Sequence, residues 1–267
     1  MDVSVIIPSY RPGVYLKECL DSVCSQSLNI ERFEIIIILN GCNEPYKQEI
    51  ERYIRYHQGI SIKLIQTDVP GVSNARNLGI EAAQSDYITF VDDDDIISPT
   101  YIEGLLEVSS PRCIGCSNSY AFKGERGKIQ TNFISKAYER CKKKKFSLFE
   151  YRQFLSPPIA KLIHREVIGE SRFPLNLKKS EDSVFCFLLS PRVREMKLAK
   201  DTVIYYQRLR EGSTMRTKNS FFREVVHLCK LEKAYLKIWL MHPFLYNFRF
   251  FLSRVIAGVV NFAYYIK

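Results

Sequence analysis

The sequence has no second cysteine pair to complete a zinc site, no glycine-rich phosphate loop, no long apolar run and no internal repeat. Each absence removes a class. The eight cysteines stand at 19, 24, 42, 113, 116, 141, 186 and 229. Cys113-x-x-Cys116 is the one tight pair, and structural zinc needs a further Cys/His pair that never follows. The thiols therefore read as small, reduced, mostly buried residues of a cytosolic chain. The segment Pro8-Ser9-Tyr10-Arg11-Pro12-Gly13, after the first apolar run, lacks the Gly-x-Gly-x-x-Gly of a dinucleotide site. Nor does a Gly-x4-Gly-Lys-Ser/Thr loop occur anywhere, which excludes a P-loop enzyme. The single Gly13 also falls short of the glycine-rich basic loop of an enzyme that makes sugar nucleotides. Met1–Pro8 has neither a basic n-region nor a long apolar stretch, so no export is expected. The longest uncharged stretch near the end, Val255–Ile266, has 12 residues, where a membrane span needs about 20.

What is present is a chain of 267 residues, 46% hydrophobic and 25% charged, which suits one large folded domain or a medium domain with an appendage. The net charge of +10 hides a gradient. Residues 1–110 carry −9, residues 111–200 carry +12 and residues 201–267 carry +7. The basic part should face something anionic. No RNA- or DNA-binding motif accompanies it, so nucleic acid is not the expected partner.

Apolar patterns alternate along the first half. Asp2–Pro8, Glu34–Leu39, Ile60–Gln66 and Asp86–Val91 read as strands, and the four consecutive isoleucines of Glu34–Leu39 suit a strand covered on both faces. Helical spacing recurs over Leu16–Ser27, Tyr46–His57 and Val72–Ala83. This β-α-β-α-β-α-β order predicts an open, largely parallel α/β sheet, with ligands outside the carboxyl ends of the strands. Further on, Cys113–Phe122 and Thr202–Gln207 are expected as strands, Gly124–Gly127 as a turn, and Ser147–Leu155 and Glu181–Ser190 as short helices. A helical, apolar and basic tail follows from about Asn219.

Four adjacent carboxylates, Asp92–Asp95, stand at the predicted end of a strand. Clustered like charges raise one another's pKa or demand a cation. Alternate residues of an extended segment point the same way, so Asp92 and Asp94 are the pair suited to share Mg2+ or Mn2+. An acidic solvated turn before Ser98-Pro99 is the plainer alternative. The strand-end position favours the ligand site.

Several segments in order resemble glycosyltransferase family 2, inverting enzymes of the GT-A fold. Val3-Ser4-Val5-Ile6-Ile7-Pro8-Ser9-Tyr10 resembles the family's first strand and nucleotide loop, and Asn40-Gly41-Cys42-Asn43-Glu44 its second loop. Gly71-Val72-Ser73-Asn74-Ala75-Arg76-Asn77-Leu78-Gly79 is similar to the helix start before the metal strand. Phe90-Val91-Asp92-Asp93-Asp94-Asp95 matches the DxD element, and Lys178-Lys179-Ser180-Glu181-Asp182 the later Glu-Asp element. The resemblance implies a Rossmann-like, mostly parallel central sheet flanked by helices, with a helical basic C-terminal extension. It divides the chain into a catalytic domain at 1–215 (1–110 binding nucleotide sugar, 111–215 binding acceptor) and an extension at 216–267.

The implied reaction transfers a sugar, with a UDP-sugar the expected donor, to a hydroxyl of a glycan or lipid-linked saccharide, as in bacterial polysaccharide synthesis. A divalent metal at Asp92 and Asp94 would bridge the diphosphate. Asp182 is implied as general base with Glu181 beside it. Without the upstream motifs, Glu181-Asp182 after Ser180 reads as an ordinary acidic helix start. Pro8, Ser9, Tyr10, Asn40, Arg76, Asp93, Arg210 and Ser213 are implied on the donor, with Thr214 in the same late loop. Arg76 would either stabilise diphosphate or hold the Asp tetrad. Lys161 falls where the family often places a lysine near its substrates. Two departures stand out: Leu39-Asn40 replace an acidic pair, leaving the nucleotide less defined, and Cys42 replaces a serine. A non-catalytic sugar-nucleotide-binding or scaffold relative is the alternative, opposed by the joint presence of Asp92, Asp94 and Asp182. The tail mixes Phe244, Leu245, Phe248, Phe250, Phe251, Leu252, Val255 and Ile256 with Arg249 and Arg254. It suits either an interfacial helix on an anionic inner leaflet or a helix packed on the catalytic domain.

Overall fold

The computed structural model describes residues 1–57, 59–124, 129–210 and 220–266. Its central sheet has seven strands. β1 (Val3–Ser9) is buried along its whole length and pairs in parallel with β2 (Phe33–Asn40), also wholly buried. A run of consecutive apolar residues is what a strand covered on both faces requires. β3 (Ser61–Thr67) continues the parallel order at the edge and is only half-buried. β4 (Tyr87–Phe90) joins β1 on its other side. The connecting helices α1 (Tyr15–Cys24), α2 (Tyr46–Tyr56) and α3 (Val72–Ala82) agree with the periodicity of the sequence. Because β2 and β4 flank β1 on opposite sides, the chain reverses its winding direction there, and a crevice opens at the strand ends.

Beyond residue 95 the structure departs from expectation. β5 (Ile96–Ile97) and α4 (Tyr101–Val108) follow the Asp tetrad. The single strand expected over Cys113–Phe122 is two, β6 (Cys113–Cys116) and β7 (Asn118–Phe122), in different sheets. Ser117 is the break: its amide donates to the Ala160 carbonyl, while that of Asn118 donates to Val203. β8 (Ile129–Thr131) pairs with β7, and α5 (Phe133–Cys141) starts on a capping box of Asn132 and Ser135. Ser147–Leu155 forms successive turns, not the expected helix. β9 (Lys161–His164) enters the central sheet antiparallel, between β4 and β6.

α6 (Arg165–Ile168), α7 (Glu181–Leu189), β10 (Glu195–Leu198) and β11 (Ile204–Arg208) complete the part of the chain that carries the two sheets. The central order is β10-β6-β9-β4-β1-β2-β3, and a smaller sheet runs β5-β11-β7-β8. Cys113 and Cys116 sit three apart on one strand, so they point to opposite faces, and both are free.

The tail folds into two helices, α8 (Phe221–Met241) and α9 (Phe248–Ile266). Phe250, Phe251, Arg254 and Gly258 of α9 are buried, and Tyr246 stacks on Phe187 of α7 with ring centroids 4.8 Å apart. One face of the tail therefore packs on the domain. The other, with Phe248, Leu252, Ile256, Val259 and Val260, is exposed. Among the described residues, no helix is long and apolar enough to cross a membrane.

Candidate active site

The crevice at the ends of β1 and β4 brings the predicted residues together. Ser9, the last residue of β1, donates from Oγ to Asp93 Oδ2 at 2.7 Å. Asn40, the last residue of β2, lies buried. Nδ2 donates to the Ser9 carbonyl at 2.7 Å, and Oδ1 accepts from the Gly71 amide at 2.9 Å. Asn40 is thus a strut between two loops, with one Nδ2 hydrogen beyond these bonds. Gly41 follows with φ +66°, and a Cβ there would strike Pro70, so this tight turn requires glycine. Pro8 is buried within β1, while Tyr10 is half exposed at the mouth, where Arg11 stacks on its ring at 5.3 Å.

The four carboxylates point to four different partners. Asp92 Oδ1 accepts from Arg76 at 2.9 Å. Asp93 holds Ser9, and burial pushes its carboxyl up to about 6. Asp94 Oδ2 pairs with Arg210. Its pKa is raised first by burial and then by repulsion from Asp92, with Arg210 opposing. Asp95 turns inward, accepting from the Tyr205 hydroxyl at 2.7 Å and from the Arg208 amide at 2.7 Å. Tyr205 also accepts from the Asp92 amide at 3.1 Å, so one phenol ties both ends of the tetrad. Arg208 donates from Nε to the Asp94 carbonyl and pairs with Glu18 at 2.7 Å. Tyr205 and Arg208 were not singled out from sequence; the strand pattern of Thr202–Gln207 and the basic loop after it were the available signals.

Arg76, in the first turn or so of α3, is 3% exposed and joins the two halves of the site. Its Nη1 donates to Asp182 Oδ1 at 2.6 Å and its Nη2 to Asp92. Burial opposes its charge, but Asp182 and Asp92 more than offset that and hold it cationic. The guanidinium lies 5.3 Å from the ring centroid of Phe173, which stacks on Phe185 at 3.8 Å. Asn77, next on α3, fixes that loop by hydrogen bonds to both the amide and the carbonyl of Phe173. Phe173 carried no sequence signal, because its role depends on a partner 96 residues away.

Glu181 and Asp182 open α7 after Ser180, a non-glycine residue at φ +62°. Ser180 makes no side-chain cap bond, and its Oγ lies 3.3 Å from His227 Nε2 of α8. Glu181 and Asp182 do stand in the first turn of a helix, as the plain acidic-start reading has it. Withdrawal from water pushes the Asp182 carboxyl up to about 7, with Arg76 opposing and Glu181 and Asp92 adding to the rise. Burial raises Glu181 as well. Both carboxylates and Asp92 line a cavity of about 690 Å³. Lys161 lies beneath, fully buried, its ammonium bound by the Phe154 and Pro157 carbonyls. It braces the turns of 147–157 from below. Ser213 and Thr214 lie outside the described residues.

No cluster of three or more His, Cys, Asp or Glu side chains is placed to hold a metal among the described residues. Mg2+ and Mn2+ at phosphate sites ordinarily use only one or two carboxylates, the substrate supplying the rest. Asp92 and Asp94, hard oxygen donors crowded enough to repel each other, fit that need.

Residues 4–170 match the family described as Glycosyl transferase family 2. EpsH of Bacillus subtilis (strain 168) is 28% identical over 245 residues, covering 88% of this chain and 69% of EpsH. The poly(ribitol-phosphate) β-N-acetylglucosaminyltransferase TarS of Staphylococcus aureus (strain Mu50 / ATCC 700699) is 25% identical over 241 residues, 87% of this chain but 40% of TarS. GlyA, a glycosyltransferase of Streptococcus pneumoniae serotype 4, is 27% identical over 227 residues, 80% of this chain and 31% of GlyA. The chain thus spans less than half the length of two of these relatives. The crystal structure of S. aureus TarS 1–349 in complex with UDP-GlcNAc superposes with a TM-score of 0.71 at 21% identity, covering 90% of this chain and 67% of that one. The central sheet and its flanking helices therefore form a GT-A fold. With its family match covering more than half its length, the chain belongs to glycosyl transferase family 2 and is a transferase enzyme.

Proposed function

We propose that the chain moves a sugar from a nucleoside-diphosphate sugar, UDP-linked in the first instance, to a hydroxyl of a glycan or lipid-linked saccharide with inversion. The observation that carries this reading is the double ion pair of Arg76, which sets a carboxylate of raised pKa, Asp182, against the carboxylates of the strand-end crevice. Ser9, Tyr10, Asp93 and Arg210 border that crevice and are the side chains for the nucleotide and diphosphate. Asp92 and Asp94 would hold the divalent metal, which when bound stabilises negative charge on the departing diphosphate.

In the transfer step the acceptor oxygen forms its bond to the anomeric carbon as the bond from that carbon to the diphosphate oxygen breaks. The electron pair leaves with the diphosphate, and the acceptor proton passes to Asp182. A base with a pKa near the working pH serves this role best. Glu181 stays beside it as a second carboxylate that keeps its pKa high.

The place of work in this reading is the cytoplasmic face of an anionic membrane. The eight free cysteines suit a reducing compartment, and the exposed apolar stripe of α9 suits a lipid surface.

Asp182→Asn separates the base from the donor site. Donor binding by calorimetry should persist while turnover falls about 100- to 10,000-fold. Retention of more than a tenth of wild-type turnover, with chemistry rate-limiting, assigns the base elsewhere. Asp94→Asn should instead remove metal-dependent donor binding. Equal donor affinity in that variant, and in wild type with chelator, would dismiss the metal assignment.

A further inference from the structure

The catalytic domain does not enclose the cavity beside Asp182 by itself. Its far wall comes from the tail: His227, Leu231 and Tyr235 of α8, and Arg254, Gly258 and Asn261 of α9. In that wall Arg254 is out of place. It is only 5% exposed. Nη1 donates to Ser156 Oγ at 2.8 Å, yet Nε is buried with no hydrogen-bond partner. Its guanidinium carbon lies over the Phe250 ring, 5.1 Å from the centroid, a cation–π contact.

Among the described residues the other buried cations have charged or carbonyl partners, although Arg76 Nε also lacks a hydrogen bond. Arg76 has two carboxylates, Arg208 has Glu18, and Lys161 has two backbone carbonyls. Lys179, at the same cavity, has Glu224 at 3.0 Å. Among the described residues no carboxylate pairs with Arg254; Glu232 of α8, its oxygens buried without hydrogen-bond partners, lies instead against Gly258 one turn further along α9. Burial pushes its pKa down against opposition from Tyr235 and Cys186, and the neighbouring cation Arg152 adds the smallest push downward. A buried cation without countercharge is costly, and the cost is removed only when an anion arrives. A second cation, Lys178, lines the same cavity and is exposed.

We infer that Arg254, with Lys178 at the rim, forms an oxyanion subsite, and that the acceptor is a saccharide carrying a phosphate or carboxylate near its reacting hydroxyl. The guanidinium fork matches either group through paired N–H donors, whereas a neutral sugar would leave the buried charge uncompensated. The inference rests on the transfer reading for the use of the cavity. It adds what that reading leaves open, the charge of the acceptor and a role for the tail in choosing it.

The test is a ligand-observed NMR titration of the full chain with UDP and Mg2+ held saturating, so that the diphosphate site is already filled. The probes are sn-glycerol 3-phosphate and glucuronate, with glycerol and glucose as their neutral matches. At least one anion should bind about tenfold or more tighter than its neutral match, the size expected of a charge-assisted hydrogen bond. Preference for glycerol phosphate marks a phosphate-bearing acceptor, and preference for glucuronate a uronate. Arg254→Met should bring the preference to within about twofold of none, and exposed Lys178→Gln should reduce it by a smaller factor that vanishes at high salt. Circular dichroism and UDP binding check that each variant is folded. Should Arg254→Met not fold, the wild-type preference and the Lys178→Gln response decide the matter. Equal binding of charged and neutral probes by a chain that binds UDP overturns the subsite alone. A preference that survives intact in folded Arg254→Met also overturns it. A chain that binds no UDP overturns the transfer reading and the subsite together.

Discussion

Arg76 sets both the distance and the proton affinity of the groups it joins. Its charge holds Asp182 lower than burial alone would, and the carboxyl still stands near 7. Because a base works only when deprotonated, turnover should rise with pH through about 7 and flatten above it. That apparent value belongs to the cluster of Asp182, Glu181 and Asp92 rather than to one residue. Arg76→Met should move the rising limb of the kcat profile to higher pH, since the attraction that favours the carboxylate is gone. It should also lower the plateau on the order of 100-fold through lost alignment. A pH–rate profile that does not move would detach Arg76 from the base. The same carboxylates act on stability with the opposite preference. Asp93 and Asp182 have folded pKa values of about 6 and about 7, above their ordinary value of 3.8, so the fold favours their protonated forms. Their contribution is complete below the unfolded value and is lost as pH rises through 6 to 7. In the absence of ligand, Tm should therefore fall between pH 5 and pH 8, and Asp93→Asn should flatten the lower part of that fall. Thermal unfolding at low ionic strength across this range checks it.

The elements that could be read from sequence are those whose neighbours leave them little choice. β1 and β2 are buried at every residue, so their mostly apolar patterns mark them plainly, and α1 to α3 join the successive strands β1 to β4. The carboxylate tetrad and Glu181-Asp182 were legible for a related reason, since acid at a strand end or helix start marks its own place. Legibility failed where a tertiary partner overrides local pattern. Cys113–Phe122 splits because the Ser117 and Asn118 amides bond to the segments leading into β9 and β11, and the polar Ser117-Asn118-Ser119 between its apolar ends is the local mark of that break. Ser147–Leu155 carries helical spacing, but Lys161 takes the Phe154 and Pro157 carbonyls and the chain stays in turns. Lys161 also disguised β9, a strand of four residues with a charge at its start. The capping box that starts α5, Asn132 with Ser135 three residues on, is a purely local signal. Close packing between elements gives a test of its own. A Cβ on Gly79 of α3 would lie 2.3 Å from Ile6 Cγ2 in β1, where both residues are buried. Gly79→Ala should destabilise the protein by about 1–3 kcal/mol through overpacking, read as a lower urea midpoint.

At the scale of the whole molecule, α9 is apolar on two sides. Phe250 and Phe251 meet the domain, while Phe248, Leu252, Ile256 and Val260 meet solvent, and Phe244 stands fully exposed in the connection before it. The expectation of one role or the other for the tail thus gives way to a packed face and an open one. Because the packed face also walls the cavity, removing the tail would disturb more than a surface. Leu252→Gln with Ile256→Gln addresses the open face alone. The pair should leave Tm nearly unchanged and weaken binding to anionic vesicles most at high salt, where the apolar part of the attraction remains. Wild-type protein that ignores such vesicles at low salt would refute the membrane proposal. The guanidinium of Arg76 also bears on how the protein is made. Its two partners lie 16 and 106 residues further along the chain. During synthesis the nucleotide half leaves the ribosome first, several seconds ahead of Asp182 at ordinary elongation rates of about 5–20 residues per second. In the proposed reading, until α7 and then β11 arrive the crevice lacks both its base and Arg210. A nascent chain would thus meet donor sugar without turning it over, and become active only once these later segments close the site.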